Sequence, residues 1–504
     1  MGVLKEVMPV SDLTLASRPQ RLFWALAAFS LIPLVILLPM ASTRLGILVL
    51  AAWIAVLWII ITFIRDQVEH IALLWLACYP YGYYFLSFPA SHAVFTFDRA
   101  VIGLLALYML LHHRKQHNPL LPDIRRSAWF WGLYLIVCLG SLIGQPLGSP
   151  VYSSLHTLLD GLGPPALIGL YAMQYLPVEK NLSRLHSCAC ILSIGIGTLV
   201  IAELVTGQDF LPWPGAVNYL LPGVADVRRV DGPFELPAIL SIISILLFFL
   251  IVYLRHLMAD SISPAQTLLH WIGAPLAMFA AFAPLNRGLF LVLVPIAVID
   301  LTSRTPLLKR RTWILTFSVV FLCLGFAKAF YPEVFEDRTT EPVNAYQRIA
   351  QDQETLRIVE EHPLFGIGLG LYHDTASQDV RYLVRWRGIE SMNWPHNVPM
   401  TVLAESGLVG FSLYLLSQFF LVRAMWSMRR RHPVNWLAFL YCFLSYTLYG
   451  LDFAINYYPE VTLLYMFVTG VTYNMQIRAE EEAGESWAIE YDRHSPFTEA
   501  PGQA

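Results

Sequence analysis

Apolar runs long enough to cross a lipid bilayer recur along the chain from residue 21 to residue 476. The runs are continuous rather than alternating, and a helix needs about 20 apolar residues to span the hydrocarbon core. Because backbone groups in lipid must be satisfied internally, such runs predict transmembrane helices. The pattern predicts about fourteen spans, at residues 21–40, 45–64, 69–88, 97–113, 128–146, 156–176, 186–205, 233–255, 265–284, 286–302, 313–331, 395–422, 435–455 and 459–476.

This pattern divides the chain into a few large parts. We expect a cytoplasmic N-terminal lead (1–20), transmembrane helices 1–11 (21–331), a large periplasmic loop (332–394), transmembrane helices 12–14 (395–476) and an acidic cytoplasmic tail (479–504). The first run is longer than the roughly 7–15 residues of a signal-peptide core, so we interpret it as an uncleaved span. The charged composition of the tail predicts disorder.

The large loop contains one segment with helical spacing. Apolar residues recur at helical intervals over residues 343–361, and Pro363 follows, which predicts an amphipathic helix that ends there. Its predicted apolar face consists of Val343, Tyr346, Ile349, Ala350 and Leu356. The loop is therefore predicted to be partly helical.

Composition supports the membrane interpretation. Hydrophobic residues make up 56% of the chain and charged residues 14%, whereas soluble proteins carry about 25% charged residues. The net charge of −3 does not indicate a nucleic-acid partner. The six cysteines lie inside apolar runs, where a thiol behaves as a small buried hydrophobe. No metal-ligand spacing is visible, so we predict neither a metal nor a cofactor.

The distribution of basic residues gives an orientation. Cytoplasmic loops collect lysine and arginine, and most of the 33 basic residues share one side when the N-terminus is placed inside. Both termini are therefore predicted to be cytoplasmic. The basic residues left outside are almost all arginine, whose planar fork of donors suits phosphate and carboxylate. For any single arginine, snorkelling to lipid headgroups is an equally good explanation.

Three of these outer arginines lie next to spans. Arg228 and Arg229 precede the span at 233–255, and Arg287 lies between two spans with almost no loop. An arginine in such a position is costly unless it is paired or faces a wet cavity. The alternative to a ligand site is a structural pairing of Arg287 with Asp98 or Asp231.

The end of the loop carries further candidates. An imidazole titrates at about 6.5, close to working pH, which makes His396 a candidate base. Asn397 could hold a sugar or cap the helix that starts there. On a continuous helix Glu405 would lie about 13 Å below His396. An acid at that depth indicates a functional site, although a packing hydrogen bond explains it equally well.

The motifs around these residues resemble a known superfamily. The block His362-Pro363-Leu364-Phe365-Gly366-Ile367-Gly368, then Pro395-His396-Asn397, then Glu405-x-Gly407-Leu408-x-Gly410 resembles the O-antigen ligase and Wzy-type polymerase superfamily. Arg229-x-x-Gly232-x-Phe234 is similar to the family's RxxGxF segment, and Asn286-Arg287-Gly288 to its Ser-Arg-Gly. The resemblance covers about residues 225–476.

This resemblance implies an all-α polytopic membrane protein with a GT-C-like architecture in the bacterial inner membrane. It implies transfer of an undecaprenyl-pyrophosphate-linked glycan to an acceptor sugar hydroxyl on the periplasmic face, with inversion and without a metal. We favour an exopolysaccharide or O-antigen polymerase. An O-antigen ligase acting on lipid A-core is the alternative, and a lipid-linked oligosaccharide flippase or a non-catalytic scaffold subunit is the alternative from another class.

The resemblance also suggests roles for individual residues. Arg229 and Arg287, helped by Arg228, would neutralise the departing pyrophosphate, and His396 would act on the acceptor hydroxyl. Glu405 would organise the site from below, and Asn397 would bind substrate. The predicted glycan contacts are Arg357, Arg385, Arg387, Trp386, Trp394, Tyr372 and Tyr382. Expected partners are the lipid-linked donor, the acceptor glycan, the bilayer and other polysaccharide assembly and chain-length proteins.

Overall fold

The structure is a computed structural model that describes most of the chain. The described residues are 44–85, 87–88, 95–113, 118–143, 154–211, 230–259, 262–330, 332, 343–391, 394, 396–427 and 429–494. Backbone contacts divide the chain into two compact units, Met1–Ala72 and Leu73–Ala504. In the first unit, helix α1 spans Arg44–Ile64. Helix α2, Glu69–Cys78, begins there and continues into the second unit.

Helices make up nearly all of the described second unit. They are α3 (Gly82–Phe85), α4 (Phe97–Leu111), α5 (Pro122–Gly140), a π-helical turn (Thr157–Leu162), α6 (Gly163–Gln174), α7 (Val178–Thr206), α8 (Pro237–Leu257), α9 (Pro264–Phe282), α10 (Gly288–Thr302), α11 (Arg310–Phe330), α12 (Val343–Glu361), α13 (Tyr372–Gln378), α14 (Val398–Ser427), α15 (Pro433–Gly450), a 3₁₀ turn (Ile455–Tyr457) and α16 (Pro459–His494). Two short antiparallel pairs join β1 (Ser87–Phe88) to β2 (Phe95–Thr96) and β3 (Arg385–Trp386) to β4 (Ile389–Glu390).

Four of the described helices are long and apolar enough to cross a membrane: α7, α8, α9 and α14. A chain with several such helices is typical of a multi-pass membrane protein, as the hydrophobic pattern predicts. Shorter apolar helical stretches among the described residues lie at Ile54–Ile64, Glu69–Cys78 and Gly288–Thr302. The predicted span 21–40 lies outside the described residues.

Helix α8 is the centre of the second unit. All of its residues from Pro237 to Leu254 are buried, as expected for a helix that is apolar on every face. It packs against α7, α9, α15 and α16. Near its C-terminal end, the Tyr253 hydroxyl donates a 3.1 Å hydrogen bond to Oδ1 of Asn435 on α15.

The loop helix α12 has the predicted bounds but not the predicted packing face. Val343, Ile349 and Leu356 are exposed, and of the predicted face only Ala350 is fully buried. The buried side consists of Ala350, Gln351, Glu354, Thr355 and Ile358. The polar residues on this side can be buried because they have hydrogen-bond partners. Thr355 Oγ1 lies 2.7 Å from the Tyr372 hydroxyl, and Glu354 accepts hydrogen bonds from Tyr372 and Ser391.

Two further expectations are corrected by the structure. Helix α14 is not continuous, because Gly407 adopts a non-helical conformation (φ 63°, ψ −171°) inside it. Helix α16 continues to His494, through most of the acidic tail that was expected to be disordered. Glutamate and alanine dominate that segment, and both are good helix formers.

Candidate active site

Two of the motifs that carry the family resemblance interlock. The segment 363–368 runs along α14 where that helix is broken, and it bonds to the backbone on both sides of the break. Four hydrogen bonds of 2.8–3.1 Å connect them: Ile367 N to Ala404 O, Gly368 N to Glu405 O, Leu408 N to Pro363 O and Val409 N to Leu364 O. The part of the large loop that follows α12 is thereby fixed to α14.

Glycine is required at the contact points of this interlock. Gly407 and Gly366 both have positive φ, 63° and 69°, a conformation that is costly for residues with a Cβ. A Cβ on Gly407 would collide with the carbonyl group of Leu364, and one on Gly366 would collide with the backbone of Ala404. Gly368 and Gly370, which follow in the same segment, also have positive φ.

The Glu405 side chain holds the next part of the loop. Only 1% of the residue is exposed. Its carboxylate accepts a 3.3 Å hydrogen bond from Tyr372 N, another from the Gly370 backbone and one from the Tyr457 hydroxyl. These bonds fix the start of α13 and the 3₁₀ turn. Glu405 therefore makes the packing hydrogen bonds that were the alternative to a functional role, and it supports the loop from within α14.

A group of charged residues lies where α10, α12 and the segment after α15 meet. Arg348 on α12 forms an ion pair with Asp452. Asp452 also lies against Gly288, where an added Cβ would be 2.5 Å from its Oδ2. Arg287, exposed at the N-cap of α10, directly precedes that glycine. The structure therefore brings Arg287 close to the ion pair of Arg348 and Asp452.

The charged group contains two acids as well as two arginines, since both Asp452 and Asp352 lie near Arg348. The Arg348 guanidinium is partly buried, and burial is the main cause that lowers its pKa. The nearby charge of Arg287 lowers that pKa further, while Tyr449 and Asp352 oppose the shift. Guanidinium groups offer paired donors that match phosphate oxygens, so the exposed Arg287 beside this group is a candidate contact for an anionic ligand.

Asn286 fixes the backbone beside Arg287. Its Oδ1 accepts from Gly288 N at 3.0 Å, and its Nδ2 donates to the Tyr449 hydroxyl at 2.6 Å. That hydroxyl in turn donates to the Ala238 carbonyl at 2.9 Å. Asparagine, which replaces the family's serine here, therefore connects the turn before α10 to both α15 and the start of α8.

His396 lies beside the same charged group. Its ring is 5.8 Å from the ring of Phe453, and Phe453 follows Asp452 directly in the chain. The His396 side chain is partly exposed. The neighbouring Asn397 caps α14, because its Oδ1 accepts from Met400 N at 3.3 Å. Capping was one of the two roles considered for Asn397.

The predicted loop arginines have partners within the loop. Arg357 donates to the carbonyls of Arg381 and Leu383, both at 3.2 Å, rather than pairing with Glu361. Arg385 pairs with Glu390. The Arg387 guanidinium lies 4.8 Å from the centre of the Tyr346 ring and donates to its hydroxyl at 2.6 Å. All three remain exposed. Arg228 and Arg229 lie outside the described residues.

The acids considered as partners of Arg287 lie elsewhere. Asp98 accepts a 2.7 Å hydrogen bond from Trp75 Nε1. Asp231 lies with Glu203 and Asp209, and their carboxylate oxygens are within 4.8 Å of one another. Glu203 also accepts from Gly232 N at 3.1 Å, and all three acids have further polar or electrostatic partners. The sequence did not indicate this cluster.

The predicted aromatic sugar contacts divide into two groups. Tyr372 and Tyr382 are buried, at 0% and 3% exposure, so their prediction as a sugar-stacking surface is wrong. They stabilise the loop through hydrogen bonds to Glu354 and Glu361. Trp394 is 47% exposed and stacks on His373 with ring centres 4.2 Å apart. Trp386 is partly buried in β3.

Sequence reasoning missed Arg348 and Asp452. Arg348 is one of several loop arginines, and nothing in its local pattern distinguishes it from the others. Asp452 lies near the end of the predicted span 435–455, where an acid is equally compatible with a helix end. Their pairing joins positions that are distant in sequence, and the structure was needed to find it.

Several apolar spans and a group of charged residues where α10 and α12 meet define a multi-pass membrane protein with a candidate polar site. Residues 237–415 match the model of a family described as O-Antigen ligase. This confirms the resemblance to the O-antigen ligase and Wzy-type polymerase superfamily, and it supports a ligase- or polymerase-type enzyme in general. The matched segment contains Arg287, Arg348, His396 and Glu405. No curated protein matches the chain.

Proposed function

We propose that this protein transfers a glycan from undecaprenyl pyrophosphate to a sugar hydroxyl at the periplasmic face of the bacterial inner membrane. The observation that carries the proposal is the grouping of Arg287, Arg348 and His396 around Asp452 and Phe453. In the reaction, the acceptor oxygen attacks the anomeric carbon from the side opposite the pyrophosphate. The bond from that carbon to the phosphate oxygen breaks, so the product is inverted.

Arg287 and Arg348 stabilise the leaving group in this scheme. The pyrophosphate gains negative charge as the sugar–oxygen bond breaks, and fixed cations aimed at developing charge are a main source of catalysis. Guanidinium groups also match phosphate oxygens in geometry. Asp452 positions Arg348 through their ion pair. Arg228 and Arg229, adjacent to the segment that leads into α8, are proposed as further pyrophosphate ligands.

His396 is proposed as the group that takes the acceptor's proton. An imidazole titrates at about 6.5, so its neutral form is available at working pH. A base must lie within hydrogen-bond reach of the proton that it removes, and the partly exposed ring of His396 is accessible from the charged group. The proton passes from the acceptor hydroxyl to the ring as the new glycosidic bond forms.

The outer loop is proposed to bind the glycans. Arg357, Arg385 and Arg387 remain exposed even though each has a partner in the loop. Asn397 caps α14 and Glu405 holds the segment at Gly370 and Tyr372, and both are proposed to shape the glycan site from these positions. The full topology of about fourteen spans with both termini cytoplasmic, a GT-C-like arrangement and contacts with chain-length proteins belong to the same proposal.

The test is a glycan analysis of a deletion strain complemented with variants. For a polymerase we expect single repeat units on the cell surface without the gene. Polymer retained on undecaprenyl pyrophosphate would instead identify a ligase. His396→Ala and Arg287→Lys should reproduce the deletion, whereas the loop controls His362→Ala and Arg381→Lys should complement it. Full polymer output from both site variants at normal protein levels would refute the proposal and favour a scaffold role.

The transporter alternative makes a different prediction. If the protein moved lipid-linked glycan across the membrane, the deletion would leave that substrate on the cytoplasmic side. Labelling of lipid-linked glycan with an impermeant reagent in spheroplasts distinguishes the two. We expect labelling to be unchanged or increased, because substrate that has already crossed accumulates.

A further inference from the structure

A cavity lies between α8, α9 and α11. Its volume is about 80 Å³, and its lining includes Phe248, Met278, His270, Arg311 and Thr312. Helix α8 starts beside the candidate active site, where Ala238 accepts a hydrogen bond from Tyr449. Phe248 is ten residues further along, or about 15 Å at 1.5 Å per residue. The cavity is therefore separate from the proposed catalytic group.

The surface around this cavity is apolar. Trp271, which lines it, is 63% exposed, and the neighbouring Leu268 and Ile314 are 62% and 59% exposed. In a membrane protein such residues face lipid. Helix α9 is one of the candidate spans. An occupant that enters from this side must therefore present hydrocarbon to most of the cavity wall.

One end of the cavity is cationic. Arg311 lines it in the first turn of α11, and Lys309 and Arg310 directly precede it. The charge of Arg255 also acts on the His270 ring. No aspartate or glutamate is found among the described lining residues. Arginines are disfavoured at a helix N-terminus, where the helix dipole is positive, so an anionic group at this end would relieve the repulsion.

The cavity also offers polar atoms besides the charges. Thr312 contributes a hydroxyl to the lining. Pro275, within α9, has no N–H, so the carbonyl of Trp271 lacks its usual donor four residues on. Both Trp271 and Pro275 line the cavity. A headgroup that carries hydroxyls as well as a phosphate would find both donors and acceptors here.

We propose that this cavity binds an anionic phospholipid, with the headgroup phosphate at Arg311 and part of an acyl chain against Phe248 and Met278. Basic pockets between transmembrane helices bind anionic lipid headgroups in this way. The apolar wall selects a lipid over a soluble phosphate, and the cationic end selects an anionic lipid over a zwitterionic one. The bound lipid joins α8, α9 and α11 independently of the transferase reaction.

The test uses the full-length protein purified in detergent, with native mass spectrometry and thermal unfolding as readouts. Phosphatidylglycerol should remain bound and raise the unfolding temperature. Phosphatidylcholine with the same acyl chains should bind about tenfold more weakly, and glycerol phosphate should have no effect at equal concentration. Arg311→Gln should weaken phosphatidylglycerol binding about fivefold, since one basic residue contributes about one such factor. Arg310→Gln, one position away but outside the lining, is the matched control.

A second variant fills the space instead of removing charge. Ala274→Leu places extra volume in the lining and should reduce retention of the lipid while Arg311 is intact. If this variant fails to fold, the pair Arg311→Gln and Arg310→Gln still decides the question. Equal losses in these two variants, equal binding of phosphatidylcholine, equal binding of glycerol phosphate, or no retained lipid in the wild type would each overturn the proposal.

Discussion

Replacement of Glu405 by alanine should release the large loop from α14. In the folded protein the Glu405 carboxylate accepts from the Tyr457 hydroxyl and from the backbone of Gly370 and Tyr372. Alanine removes every acceptor at once. Because the residue is buried, water does not readily replace the lost partner. The three donors would remain unsatisfied unless the loop moves away.

The size of the effect follows from these contacts. A buried donor without a partner costs about 1–3 kcal/mol, so three of them cost at least about 3 kcal/mol. Each 1.4 kcal/mol is a factor of ten in a population. The open state of the loop should therefore become more populated by about a hundredfold. Tyr457→Phe removes a single hydrogen bond, about 1–2 kcal/mol, and should increase opening only about tenfold.

Limited trypsin digestion in detergent measures this difference. The loop offers exposed cleavage sites at Arg381, Arg385 and Arg387, and cleavage follows the open population when opening is fast relative to cleavage. The expected order of cleavage rates is wild type, then Tyr457→Phe, then Glu405→Ala. Equal rates in the two variants, or an unchanged rate in Glu405→Ala, would show that the carboxylate does not hold the loop.

Three further predictions concern the interlock between 363–368 and 404–409, the charged group around Arg348 and the pH dependence of loop stability. Gly407→Ala should lower expression and thermal stability more strongly than Gly325→Ala, and similar unfolding temperatures for the two would contradict this. Unlike Gly325, Gly407 has positive φ, and an added Cβ there would collide with backbone atoms. Arg348→Lys should reduce transfer at least tenfold while protein levels stay normal, since lysine keeps the charge but loses the fork that matches phosphate. An Arg381→Lys control should retain activity in the same glycan assay. Burial raises the pKa of Glu354, although hydrogen bonds from Ser391 and Tyr372 partly oppose this. The protonated Glu354 side chain therefore stabilises the loop below the unfolded pKa, and this stabilisation is lost as pH rises through the folded pKa. Trypsin sensitivity of the wild type should therefore increase with pH relative to Glu354→Gln, and parallel pH profiles would count against the assignment.

Local sequence signals predicted the loop helix well. Helical spacing and Pro363 gave the bounds of α12, because both act within a few residues of each other. The buried face of that helix was not predictable, since hydrophobicity was the only guide. Glu354 and Thr355 are buried because Tyr372 and Ser391 provide hydrogen bonds to them, and those partners lie in later parts of the loop.

The candidate site was predicted only in part for a similar reason. His396 could be predicted because it belongs to a short motif. Arg287 could be predicted because a charged residue between two adjoining spans is unusual. Arg348 belongs to the candidate site through its ion pair with Asp452. The two residues are too far apart in sequence for a local pattern to predict that pairing. The break at Gly407 was also hidden, because apolar residues continue on both sides of it and the helix resumes.

The interlock between 363–368 and 404–409 has a consequence for protein engineering. Outer loops are natural targets for grafting between related transferases in order to change sugar specificity. A graft that ends at the membrane boundary would separate one half of this backbone pairing from the other. Chimeras should therefore carry both segments from the same parent, with the exchange points placed beyond residue 409 and before residue 363.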